Sequence, residues 1–228
     1  KIYGQLSDFH IIALLPSYLE KGSSSLVHMI SHFIKQSDSP YSGFFLSDFQ
    51  KIIDTFNKIK KSNSPKRKIL LWGVTYALLD LLEMGYDFTD FKNELIVLET
   101  GGMKGRRKEM IREELYEKLK SGYSVNNIHS EYGMTELLSQ AYSQQDAIFQ
   151  CPSTMKIVIR EVNDPFEIIG PNNLLKTGGI NVIDLANIDS CSFIETQDLG
   201  QYMDETGKFR VLGRFDNSDI RGCNLLVN

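Results

Sequence analysis

The chain has 228 residues, 42% of them hydrophobic and 24% charged, with a formal net charge of −4. That is ordinary globular composition, enough for one large domain or a domain with a small lobe, and its mild acidity gives no general reason to expect nucleic-acid binding. No apolar run approaches the roughly 20 residues that span a bilayer, and no secretory leader is recognisable. The three cysteines, Cys151, Cys191 and Cys223, are odd in number and widely spaced. They read as reduced thiols in a reducing compartment, so a cytoplasmic location is expected. Because the chain starts at Lys1 and stops after Leu226-Val227-Asn228, it reads as the later part of a longer protein.

In chain order, Phe9 to Leu15 predicts a strand bounded by Pro16, and Ser23 to Ile34 a helix capped by Ser23, Ser24 or Ser25. Gly43 to Leu46 reads as a short strand, and Ser47 as the cap of a helix carrying Phe49, Ile52, Ile53, Phe56 and Ile59 at helical spacing. Lys68 to Val74 predicts a strand, Tyr76 to Met84 a helix ended by Gly85, and Leu95 to Glu99 a strand. Arg106 to Lys120 reads as a charged helix that buries Ile111, Leu115 and Leu119, and Asn127 to His129 as a strand. Beyond residue 150 the pattern changes to short strands, Met155 to Val162, Gly179 to Asp184, Cys191 to Glu195 and Lys208 to Leu212, parted by Gly- and Pro-containing turns. The last two are expected to form a hairpin around Gly207.

The expected fold class is therefore α/β: a mostly parallel sheet flanked by helices over residues 1–150, followed by a smaller antiparallel β region over 151–228. Ligands of such sheets bind at strand ends followed by Gly-rich turns.

Four segments have the chemistry of a nucleotide site. In Tyr132-Gly133-Met134-Thr135-Glu136, a strand runs into an aromatic-Gly turn and an expected helix start. A Thr hydroxyl and free N–H groups there suit a phosphate, and the Glu carboxylate suits the accompanying magnesium. Taken alone, the string also reads as an ordinary capping turn. Gly101-Gly102 follows a buried strand, where paired glycines let backbone approach a flat ligand. Asp198 ends a strand and suits two ribose hydroxyls. In Gly213-Arg214-Phe215-Asp216, Arg214 suits ribose or phosphate, and Cys223 lies beside Arg221, a setting that favours thiolate. Each also has a plain reading, as a turn or as a small buried hydrophobe. His28 and His32 have helical i, i+4 spacing, but Met29 stands where a zinc protease would carry Glu.

In this order and at these distances, the four segments resemble the adenylate-forming superfamily of acyl-CoA ligases, adenylation domains and luciferases. Tyr132 to Glu136 matches that superfamily's Tyr-Gly-x-Thr-Glu motif, Gly101-Gly102 falls at its adenine loop, and Gly213-Arg214-x-Asp216 at its hinge. Asp198 falls at its ribose-binding Asp, with Thr196-Gln197-Asp198 where Thr-Gly-Asp is usual. The closer resemblance, spanning essentially the whole chain, is to LuxE-type acyl-protein synthetases. It rests on Leu14 to Glu20, Gly22 to Val27, Glu99 to Arg106 and Asp219 to Leu226. The superfamily's Ser/Thr/Gly-rich phosphate loop is absent and is expected upstream of Lys1.

The resemblance implies ATP-dependent activation of a carboxylic acid, a fatty acid in this family's luminescence members, to acyl-AMP with Mg2+, followed by transfer of the acyl group to a protein cysteine. It implies Thr135, Glu136 and Cys223 as catalytic residues, with Glu136 on the metal. Gly101, Gly102, Tyr132, Gly133, Asp198 and Arg214 would bind the nucleotide. It also implies an acyl-CoA reductase-like partner protein. An acyl- or aryl-CoA ligase and a non-catalytic nucleotide-binding remnant remain the alternatives.

Overall fold

A computed structural model describes residues 2–16, 24–62, 67–101 and 110–215. The chain forms two compact units: the first comprises Lys1–Arg107 and Glu113–Ile128, the second Lys108–Arg112 and His129–Asn228.

In the first unit, β1 (Phe9–Leu14), β2 (Gly43–Phe44), β3 (Lys68–Val74) and β4 (Leu95–Thr100) pair in the order β2-β1-β3-β4, all parallel. Their sequences are near-continuous apolar runs because both faces are covered. β1 is buried at all six positions and β3 at every position after Lys68. The helices are α1 (Ser25–Ser37), α2 (Phe49–Lys61), α3 (Thr75–Glu83) and α4 (Arg112–Tyr123). Ser24 caps α1 by accepting from the Val27 N–H, and Asp48, not Ser47, caps α2 through the Lys51 N–H at 3.0 Å. α3 stops at Gly85, whose φ of +70° continues no right-handed helix. α4 is tied down by Tyr123, whose hydroxyl donates to the Leu78 carbonyl at 2.8 Å. Around Phe56 the rings of Phe88 and Phe91 stand edge-on at 5.1 and 5.0 Å.

The second unit is antiparallel throughout. Its strands are β5 (Ile128–Tyr132), β6 (Ala141–Ser143), β7 (Phe149–Gln150), β8 (Met155–Arg160), β9 (Ile168–Ile169), β10 (Gly178–Asp184), β11 (Phe193–Tyr202) and β12 (Phe209–Arg214). They pair in the order β5-β6-β7-β12-β11-β10-β8-β9. β11 and β12 form a hairpin at Gly207, where φ is +89°.

These observations correct the expected fold class. The chain is not a mostly parallel sheet flanked by helices. It carries twelve strands in mixed pairing and only four α-helices among the described residues, 29% helix against 32% strand. Parallel neighbours need crossovers of a dozen or more residues, usually a helix, whereas antiparallel ones need only a turn. No α-helix follows Tyr123 among the described residues, and within β5 to β7, β8 to β9 and β10 to β12 each strand turns straight back on the one before. Two elements also differ in detail. Ile111, expected in the core, is 53% exposed. The strand expected over Cys191 to Glu195 begins at Phe193 and continues to Tyr202.

Candidate functional site

Three of the candidate residues meet in the second unit. Alternation along β5 turns Ile128, Ser130 and Tyr132 inward. The Tyr132 ring packs against Phe209 at 5.6 Å and Phe149 at 6.1 Å, and its hydroxyl donates to Asp198 Oδ2 at 2.8 Å. Asp198 is 6% exposed, and its own N–H donates to Thr196 Oγ1, which in turn donates to the Ile180 carbonyl. The hairpin register sets Asp198 opposite Arg214, with Nε 3.8 Å from Oδ1. Gln197, in the position where Gly is usual in the resembled motif, accepts from Arg214 Nη2 through its side chain and from the Phe215 N–H through its carbonyl.

Arg214 Nε and Nη1 are buried and have no hydrogen-bond partner among the described residues. Burying a donor without an acceptor costs roughly 1–3 kcal/mol, more for a charged group. A buried guanidinium with spare donors, beside a carboxylate and a tyrosine hydroxyl, has the composition needed to bind an oxygen-rich anion or a sugar.

Thr135 and Glu136 do not open a helix. They form a turn closed by the Leu137 N–H on the Met134 carbonyl at 3.1 Å, after which the chain enters β6. The helix-start donors expected for a phosphate are therefore missing at this point. Both side chains are exposed. Gly133 faces Gln140, whose Cγ would lie 2.8 Å from an added Cβ.

In the first unit, Gly101 leaves β4 at φ +78°, a conformation that favours glycine. Just before it, the half-buried Glu99 carboxylate accepts from Thr75 Oγ1 at 3.0 Å and from the Tyr116 hydroxyl at 3.3 Å. Gly102, Asp216 and Cys223 lie outside the described residues. Of the other cysteines, burial pushes the Cys151 thiol up to about 11, while Cys191 is exposed and donates to the Phe193 carbonyl. Burial holds the His129 imidazole at about 4, so it is neutral near pH 7.

Sequence reasoning passed over three residues. Asp184, fully buried at the end of β10, accepts from the N–H groups of Leu138 (2.8 Å), Ser139 (2.9 Å) and Ala186 (3.1 Å) and from Ser139 Oγ (2.6 Å). These donors hold its carboxyl below the ordinary carboxylate value although burial acts the other way. Asn187 Nδ2 donates to the carbonyls of Glu136 (2.5 Å) and Cys191 (3.1 Å). Arg160, 5% exposed, donates to Asn181 Oδ1 and the Thr196 carbonyl, pairs with Glu195, and lies 5.4 Å from the Phe215 ring. It fits because residue 179 is Gly: an added Cβ there would sit 2.4 Å from Nη1. The available signals were an Asp directly after an apolar strand and an Arg at the end of another.

Among the described residues no group of three or more His, Cys, Asp or Glu side chains is arranged to hold a metal ion. A magnesium carried mainly by nucleotide phosphates needs only one or two protein carboxylates. The exposed Glu136 is compatible with supplying one. No helix among the described residues is long and apolar enough to cross a membrane. No protein-family model matches the chain, and no curated protein matches it.

Proposed function

We propose that this chain carries the nucleotide-reading part of a cytoplasmic enzyme of the LuxE-type acyl-protein synthetase kind, which uses ATP to activate a carboxylic acid as an acyl-adenylate. The observation that carries the reading is the buried Tyr132–Asp198–Arg214 cluster, with two guanidinium donors left over. Asp198 accepts from the ribose hydroxyls, and Arg214 donates to ribose or to the α-phosphate. In the reaction, a carboxylate oxygen of the acid bonds to the α-phosphorus and pyrophosphate leaves. A thiolate then attacks the acyl carbon and AMP leaves. Glu136, with the nucleotide phosphates, would hold magnesium, which would supply charge neutralisation for the leaving pyrophosphate.

Cys223 is the proposed acyl acceptor. Cys151, with its thiol pushed up to about 11, is a poor nucleophile near pH 7. The acid is proposed to be a fatty acid, and the consumer of the acyl group an acyl-CoA reductase-like protein.

Calorimetry with AMP tests the central claim. Wild type is expected to bind, and Asp198→Ala to abolish binding. Unchanged affinity in Asp198→Ala removes Asp198 from the site and with it the proposal.

One observation favours a second reading, a nucleotide-binding unit without catalysis: Thr135 and Glu136 sit on a turn that lacks helix-start donors. Acid-dependent exchange of label between pyrophosphate and ATP separates the two. In an active enzyme, Glu136→Ala should lower exchange by a factor on the order of 10². A chain that binds AMP but never exchanges is the non-catalytic form. Acylation of CoA in place of protein would identify a CoA ligase.

A further inference from the structure

Residues 134–139 have almost no structure of their own. Their internal backbone bond is the single Leu137 N–H to Met134 carbonyl contact. Most of the hydrogen bonds that fix them come from a segment about 50 residues further on. The Asp184 carboxylate takes the N–H groups of Leu138 and Ser139 and the Ser139 hydroxyl, and that hydroxyl also contacts Thr154 Oγ1 at 2.7 Å. From the other side, Asn187 donates to the Glu136 carbonyl, while its own Oδ1 is held by Ser190 Oγ at 2.6 Å. Asp184 has no ion-pair partner among the described residues, so hydrogen bonds alone compensate a fully buried charge. A buried carboxylate is costly unless its acceptors are filled, and here they are.

We infer that Asp184 and Asn187 are positioning residues that clamp the turn carrying Thr135 and Glu136, and so set where those two side chains meet the phosphate–magnesium end of the nucleotide. This rests on the nucleotide reading proposed above. The clamp acts at two points on the turn's exit: Asp184 fixes the amides of Leu138 and Ser139, and Asn187 fixes the carbonyl of Glu136 itself. Displacing the turn by an ångström would leave the Tyr132–Asp198–Arg214 cluster in place and misdirect only the phosphate contacts.

The test uses the whole chain and two ligands, AMP and magnesium–ATP, each titrated calorimetrically, with the thermal unfolding midpoint measured alongside. Asp184→Asn keeps the shape but turns an acceptor into a donor facing backbone N–H groups. It should weaken magnesium–ATP about tenfold or more, as loss of a charge-assisted hydrogen bond implies, while AMP stays within about twofold. Amide hydrogen exchange at Leu138 and Ser139 should speed up in the same variant. A purely structural role would lower the unfolding midpoint without changing the ratio of the two affinities.

Should Asp184→Asn not fold, Asn187→Asp and Ser139→Ala are measured in the same way, with the same selective loss expected. Equal weakening of both ligands in a folded variant, or no change in either, overturns the clamp and leaves the nucleotide reading standing. A wild-type chain that binds neither ligand overturns both.

Discussion

β1 is buried at all six positions and β3 at six of seven, whereas β8 and β11 alternate inward and outward residues. The contrast follows from how the strands are joined. Parallel neighbours are linked by helices that cover the sheet, so their side chains have no polar environment to face. Antiparallel neighbours are linked by turns, leaving one face available for polar chemistry. Accordingly, the first unit buries mainly Ile, Leu and aromatic side chains, with His10, Ser37, Thr55, Thr75 and Thr100 as its buried polar groups, while the second also buries the charged side chains Arg160, Asp184 and Asp198 together with Asn187 and Thr196. Each of these buried polar groups in the second unit is held by hydrogen bonds, and together they arrange the candidate site.

The largest effect that would break this comparison is in the aromatic cores. Phe56→Ala removes a fully buried ring from the Phe88–Phe91 cluster and should cost about 3–5 kcal/mol in urea unfolding. AMP affinity of the remaining folded protein should not change. Phe209→Ala should cost a similar amount, about 3–5 kcal/mol, but it also removes the ring that supports Tyr132. AMP binding should therefore weaken in this variant as well. If the Phe209 variant keeps full AMP affinity, the aromatic support is not what aims the Tyr132 hydroxyl at Asp198.

Next in size is the response to acid. His129 is held at about 4 by burial, below its ordinary 6.5. Above pH 6.5 both folded and unfolded chains carry neutral imidazole, so the stability is fully present. Between 6.5 and 4 only the unfolded chain takes up the proton, so stability falls as pH falls, by up to about 3 kcal/mol. His10 in the first unit is also held below its ordinary value, by burial and by the Arg67 charge, and acts in the same direction. Stability measured at pH 7 and 5 should show the drop in wild type, a smaller one in His129→Gln, and a nearly flat profile in His10→Gln/His129→Gln. Equal slopes in all three would show that these imidazoles are not the proton-linked groups. Asp184 is held below 3.8, so its contribution is lost only at still lower pH and does not obscure this window.

These differences also explain how much was legible in the sequence. Apolar runs such as Ile69 to Val74 announce a strand covered on both faces, and the Gly207 turn announces the hairpin that sets Asp198 opposite Arg214. Fold class was misread because β6, β7 and β9 have only two or three residues each, too short to show a period. Without them the antiparallel part looked like an appendage. Thr135-Glu136 was misread as a helix start for a different reason: the backbone donors that follow it are satisfied by Asp184, far along the chain. No local pattern reveals a long-range acceptor. The hydrogen bond from Tyr132 to Asp198 is of the same kind, since the two residues share no spacing rule and meet only through the sheet order.

The smallest effect sharpens the comparison best, because it repeats one piece of chemistry in two settings. Asp48 in the first unit and Asp184 in the second both accept from backbone N–H groups. Asp48 is exposed and takes the single Lys51 N–H at 3.0 Å as the cap of α2. Water can replace it there, so Asp48→Ala should cost only about 1 kcal/mol in urea unfolding. Asp48→Ser should recover most of that, because a serine hydroxyl can accept the same N–H. Asp184 has no such substitute: it is fully buried, and its four donors would be left without an acceptor that water can supply. Asp184→Ser should therefore recover little of what Asp184→Ala loses. Should serine rescue both positions equally, burial is not what separates the two carboxylates, and Asp184 is an ordinary turn cap.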